Sequence, residues 1–286
     1  MPNPLNLLSL LSQFCSTKAK LFSYHKSIFF LLTLSLAVAS AYPVKAETAE
    51  TAPPALKEAL SQIDAAANRR DAPAVMQFYS NNFKNGDGLN RSAMEEALKK
   101  LWEHYPQLNY RTELQSWQNE GNAIVAETIT HITGSGLSNG MKGKLESTLR
   151  SRQRYEGQKI VSSEILAEAS QLTSGSNPPT VQVNLPDQVS VNQPFAFDAI
   201  VKEPLGNDML LGTVIEEPIS PDRYSKPSDF ELELLPGGGL FKEGKAPGKK
   251  ENRWISAVLI RSDGMTTITR RLLVVDGAKG SRSSSQ

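Results

Sequence analysis

The sequence predicts an α+β protein: a cone of three helices and a curved antiparallel sheet, followed by an all-β sandwich. Three observations predict it. Apolar residues recur at helical spacing between residues 55 and 105, and from residue 108 they change to a period of two. After residue 180 they fall into short runs separated by turn residues, with no helical stripe. At 286 residues the chain has room for about two domains of ordinary size. Its 39% hydrophobic and 21% charged residues describe a globular protein.

The first segment reads as a targeting signal. Residues 1–46 carry Lys18, Lys20, Lys26 and Lys45 but no acid, and IFFLLTLSLAVA (28–39) forms a short apolar core. That run falls short of the roughly 20 residues a membrane-spanning helix needs. Small residues end at Ala41 and Ala46, so a secretory signal peptide is expected over 1–46, cleaved near one of them. The destination is then the periplasm or a thylakoid lumen. Removing four of the 31 basic residues and none of the 30 acidic ones leaves a formal charge of −3. A mildly acidic chain lacks the basic excess that sequence-independent nucleic-acid binding needs.

The lone cysteine, Cys15, leaves with the signal, so no disulfide, thiol nucleophile or cysteine metal site is expected. His104 and His131 lie in different elements without ligand spacing, and GxxxxGK[ST] does not occur, so neither metal nor cofactor is expected.

ETAETAPP (47–54) is a polar, proline-ended linker. Leu56, Ala59, Leu60, Ile63, Ala66 and Ala67 then share one helix face. Asp71 before Pro73 starts a second, short helix carrying Val75, Phe78 and Tyr79. NNFKNGDGL reads as a turn, after which a helix opens near Asn90, shows a stripe from Met94 to Tyr105 and stops at Pro106. Four period-two runs follow, 108–117, 122–134, 141–155 and 159–172, and the turn residues between them predict consecutive antiparallel pairing. GSNPP lies in a second linker, 174–179. Residues 180–276 supply six β-rich runs for the sandwich, the last two joined by a tight SDG hairpin, with 237–250 as a flexible loop. The Gly/Ser-rich tail, 277–286, reads as disordered.

The first half resembles the SnoaL-like branch of the nuclear transport factor 2 superfamily, a cystatin-like α+β cone. The resemblance is carried by DAPAVMQFYSNNFKNGDGL, SAMEEALKKLWEHYPQL and the closing pair LESTLRSRQRYEGQKIVSSEILAE, and covers 55–173. The second half resembles an immunoglobulin-like sandwich without its Cys–Trp–Cys signature. The whole resembles uncharacterised cyanobacterial exported proteins. The first resemblance implies dimerisation through the outer sheet surface. It also implies, for enzymes of the branch, a buried carboxylate or histidine inside the cone.

Alternation places Leu145, Ser147, Leu149, Ser151, Gln153 and Tyr155 on one face of the third strand and Arg150, Arg152 and Arg154 on the other. The second strand divides Thr128 and Thr130 from Val125, Glu127, Ile129 and His131. With the apolar-and-hydroxyl set inward, a ligand pocket would be lined by Tyr79, Tyr110, Thr128, Thr130, Ser147, Ser151 and Tyr155, with Thr112 and Ser116 on the same inner face. None of these is a general base near neutral pH. Val125, Glu127, Ile129, Arg150, Arg152 and Arg154 would form the outer wall or a dimer interface, with Glu164 and Glu168 of the fourth strand on the same charged face. A register slip of one residue would instead turn Glu127 and His131 inward as an acid–base pair. Asp87, in a turn, and Asp64, beside the first helix stripe, are the remaining catalytic candidates.

These features predict an exported, non-catalytic binding or scaffold protein. Its cone would hold a small apolar ligand or peptide, and its sandwich would serve for docking. Two alternatives stand beside it: a SnoaL-like isomerase, cyclase or hydrolase acting on a small hydrophobic substrate, and an accessory subunit of an envelope or thylakoid membrane complex. Amino-terminal sequencing of the exported protein should begin at Glu47 or Tyr42, and intact Met1 in a membrane fraction would overturn the signal reading.

Overall fold

The computed structural model describes residues 46–138, 141–204, 206, 208–224, 229–235 and 237–277. The signal peptide, apart from its last residue, and the tail beyond Gly277 lie outside the described residues. The described residues are mostly antiparallel sheet with few helices.

Helices α1 (Pro54–Asn68), α2 (Ala72–Met76) and α3 (Arg91–His104) begin where local chemistry starts them. The Asp71 carboxylate accepts from the Ala74 N–H at 3.0 Å, and the Asn90 side-chain oxygen accepts from Ala93 N–H at 2.9 Å. Each satisfies one of the unpaired donors of a helix start. Strand β1 (Glu47–Thr48) precedes α1, and β2 (Tyr79–Asn85) follows α2. β2 corrects two expectations. Tyr79 leaves the second helix, and most of the expected turn is extended backbone that buries Phe83 almost completely. The turn shrinks to 85–89, where Asn85 Oδ1 accepts from the Asp87 N–H at 2.6 Å.

The long strands are β3 (Gln107–Glu120), β4 (Ala123–Ser138), β5 (Met141–Glu156) and β6 (Lys159–Gly175), paired in sequence and antiparallel. They coil tightly: a Cβ on Gly134 would lie 1.9 Å from the Gln107 carbonyl oxygen, a separation that only glycine permits. α1, α2 and α3 fill the concave face. One cluster joins Met76, Trp102, Tyr110 and Ile132; another joins Leu56, Phe83, Trp117, Tyr155 and Ile160.

The remaining strands are β7 (Val181–Asn184), β8 (Gln188–Ser190), β9 (Pro194–Val201), β10 (Leu210–Pro218), β11 (Glu233–Leu235), β12 (Gly239–Lys245), β13 (Arg253–Arg261) and β14 (Gly264–Val275). β12 lies within the stretch that reads as a loop; it pairs with β9 and buries Leu240. β6 runs to Gly175, into the stretch expected as a linker, and pairs along residues 169–175 with β14. One sheet therefore runs β1-β3-β4-β5-β6-β14-β13-β10-β11, and a smaller sheet, β12-β9-β7, packs over its far half. Phe197, Ala199, Leu210, Ile255, Leu259 and Leu272 form the core between the two sheets.

Bulges set the faces. β4 and β5 pair without interruption, from Ala123 opposite Glu156 to Ser138 opposite Met141. β3 has one extra residue, Gln115, so Trp117 rather than Ser116 points inward beyond it. β6 has two extra residues, Val161 and Leu166. Each extra residue reverses the alternation beyond it. Glu164 keeps the outer face opposite Arg152, but Glu168 lies opposite Leu149 and joins the concave face, correcting the expectation that both acids point outward.

Candidate functional site

The register lays the expected pocket residues out in rows. Tyr110, Ile132, Ser147, Ser170, Thr269 and Ser256 follow one another across six strands on the concave face. Thr128 and Ser151 are register partners there, both buried, and the Thr128 hydroxyl has no hydrogen-bond partner among the described residues. Tyr155 is buried and donates to Gln153 Oε1 at 2.6 Å; Tyr79 packs edge-on against Phe83. Burial pushes the phenols of Tyr79 and Tyr110 up to about 12, so both stay neutral at ordinary pH. The Tyr110 oxygen accepts from the Trp102 indole N–H at 2.9 Å.

The carboxylates facing this side are each engaged. Asp64 accepts from the Thr112 N–H at 2.6 Å and from its hydroxyl at 2.7 Å, and Thr112 in turn meets the Thr130 hydroxyl at 3.0 Å. With Asn68, which bonds both backbone groups of Tyr110, Asp64 closes the outer edge of β3 against α1. Asp87 leaves its turn to form a two-pronged bond with Arg271 of β14, at 2.8 and 2.9 Å. It also accepts from the Tyr224 hydroxyl at 2.6 Å. The same guanidinium reaches Glu168 at 3.1 Å, and Glu168 accepts from the Trp254 indole N–H at 2.8 Å. The Arg271 and Asp87 side chains are 1% and 3% exposed, so solvent does not reach their contact. Burial alone would lower the Arg271 pKa, but Asp87 beside it outweighs that and holds the guanidinium charged.

The outward face carries the other candidates. Glu127 accepts from Arg150 at 2.7 Å and from Arg152 at 2.8 Å, while Arg154 reaches Glu120 at 2.8 Å and Glu156 at 3.3 Å. Partial burial pushes the Glu127 carboxyl up, but the two arginines outweigh it and hold the pKa below the ordinary carboxylate value. His131 shares this face; its Nδ1 lies 3.4 Å from the Thr148 hydroxyl. Glu127 and His131 therefore do not meet inside the cone. Val125 is buried among its neighbours, and Ile129 lines a cleft.

That cleft lies on the outward face of β4–β6, under the turn joining β7 to β8. Its volume is about 320 Å³ and its walls include Ile129, Leu166, Val183, Leu185, Pro186 and Arg150. A second hollow of about 310 Å³, lined by His131, Thr148 and Gln171, has Arg270 in common with it. Arg270 is half-buried. Its Nη1 donates to the carbonyl oxygens of Thr269, at 3.1 Å, and Ser170, at 3.5 Å, and no carboxylate pairs with it among the described residues. Burial lowers its pKa.

Sequence reasoning missed Tyr224, Arg270 and Arg271, and it named Glu168 but on the outer face. A usable signal lay in the Arg270–Arg271 pair: adjacent residues of one strand point to opposite faces, so in a sheet covered on both sides each needs its own partner. Among the described residues no cluster of three or more His, Cys, Asp or Glu is placed to hold a metal ion.

A family described as a domain of unknown function (DUF8623) matches residues 176–275. No curated protein matches the chain. Among solved structures, 38% of the chain is similar to 39% of a Bdellovibrio bacteriovorus protein, at 16% identity and a TM-score of 0.28. An uncharacterised cystatin-fold protein from Novosphingobium aromaticivorans matches 38% of the chain over 94% of its own, at 17% identity and a TM-score of 0.29. A ketosteroid isomerase-like protein from Erwinia carotovora atroseptica matches 39% of the chain over 92% of its own, at 14% identity and a TM-score of 0.31.

Two substitutions test these assignments. Asp87→Ala strands a buried guanidinium and should cost about 3–5 kcal/mol, read from the denaturant midpoint. A loss near zero would mean that Glu168 alone suffices. Arg152→Ala, on the exposed ladder, should cost no more than about 1 kcal/mol. Because the Glu127 pKa is depressed in the fold, that ladder's contribution is present above the ordinary carboxylate pKa. It is lost as pH falls through the folded value, so Arg152→Ala and the parent should converge in stability in acid.

Proposed function

We propose that the protein is an exported, non-catalytic binding module whose ligand is a small amphiphilic anion held in the cleft on the outward face. One observation carries the reading: Arg270 is a half-buried cation that, among the described residues, donates hydrogen bonds to carbonyl oxygens alone. A charge withdrawn from water without a counter-charge is costly, and an anionic group arriving from solution relieves that cost. The apolar wall of Leu166, Val183, Leu185 and Pro186 suits the ligand's hydrocarbon part, while Thr148 adds a hydroxyl. The concave face gives chemistry less support. Asp64, Asp87 and Glu168 all accept hydrogen bonds that hold the fold together, and a base committed in this way is not available to take a substrate proton.

The test uses anilinonaphthalene sulfonate, which combines a fixed negative charge with apolar rings. It should bind the parent protein, and Arg270→Gln should weaken that binding by at least about tenfold, the loss of one charge-assisted contact. Arg152→Ala, outside the cleft, should leave affinity unchanged. Equal binding by the parent and Arg270→Gln would overturn the proposal.

A further inference from the structure

β11 ends the long sheet. It pairs with β10 alone, through Leu210–Leu235, Leu211–Leu234 and Gly212–Glu233, and no described strand pairs with its other edge. An open edge is a template for another strand and is normally blunted or covered. Here it is also the most apolar exposed region among the described residues. Leu211 and Leu234 are partners on one face, 37% and 60% exposed; Leu232 and Phe230 precede them along the chain at alternate positions, 37% and 47% exposed. Met209, before β10, is 72% exposed. Between these side chains lie Asp229, Glu231 and Glu233, all exposed and without an ion pair among the described residues.

We infer that this edge receives an extended segment of a partner protein in which lysine or arginine alternates with apolar residues. Backbone hydrogen bonds would add that segment as a further strand beside β11, its apolar residues continuing the Leu211–Leu234 face and its cations meeting Glu231 and Glu233 on the other. The same acids argue against a second copy of this chain, because edge-to-edge antiparallel pairing would set Glu231 and Glu233 against their own counterparts. The acids thus act as a guard against self-association and as the feature a basic partner reads.

The experiment titrates the mature chain with a synthetic peptide alternating valine and lysine, and with one alternating valine and glutamate. The lysine peptide should bind at least about tenfold more tightly, with an affinity that falls as salt rises. Leu234→Lys, at a site already 60% exposed, should abolish that binding without lowering the melting temperature. Glu231→Lys/Glu233→Lys should reverse the preference in favour of the glutamate peptide. Failure of the lysine peptide to bind, equal binding of both peptides, or unchanged preference in the charge-reversed variant would overturn the inference. So would a parent dimer in sedimentation that Leu234→Lys dissociates, since the edge would then belong to a second copy.

Discussion

A guanidinium sealed from water needs fixed anions around it, and that requirement at Arg271 ties together distant parts of this chain. Asp87 comes from the turn ahead of α3, Glu168 from β6, Tyr224 from the turn after β10, and Trp254 from β13. None of these meets Arg271 through local sequence. Glu168 arrives only because Leu166 adds one residue to β6 and reverses the faces beyond it. Without the Leu166 bulge alone, Glu168 would stand on the arginine ladder, leaving Asp87 as the sole carboxylate against the buried cation. Replacing such a cluster by apolar groups is often no less stable, so its value here lies in geometry: a two-pronged bond fixes the angle between the helical layer and the far half of the sheet.

The faces of β4 and β5 were legible because these strands pair residue for residue over their whole length, so a period of two read in one holds in the other. That made the arginine stripe readable as a wall: Arg150, Arg152 and Arg154 each meet a carboxylate across the pleat or beside it. Legibility stopped at the bulges. An extra residue such as Gln115 or Leu166 has no compositional mark, and everything beyond it changes face. Asp87 read as a turn former because its local role is real: its N–H closes the Asn85 turn. Its second role depends on a partner nearly two hundred positions along the chain, beyond the reach of any local pattern.

The two faces of the long sheet deal with charge differently. On the concave side, Asp87 and Glu168 share the Arg271 guanidinium, while Asp64 is held by the Thr112 N–H and hydroxyl. On the outward side Arg150, Arg152 and Arg154 of β5 each meet a carboxylate, whereas at β14 Arg270 turns toward a hollow while its neighbour Arg271 turns toward Asp87. Adjacent residues of identical chemistry thus occupy opposite electrostatic situations, a direct result of the two-residue period of the strand.

β6 lies in the middle of the sheet, but one of its neighbours, β14, is the last strand of the chain. Synthesis proceeds from the amino terminus, so β3 to β6 exist while residues 169–175 of β6 are still bare on that side, where β2 covers only residues 160–163, and β7 to β13 are yet to follow. Loop closure over so long an interval is slow, and an uncovered strand edge invites wrong pairings while it waits. A chain shortened by its last twenty-three residues, 264–286, would lose the whole of β14. It would never cover that stretch of the edge and would be left with an Asp87 turn that has lost its guanidinium and keeps only Tyr224.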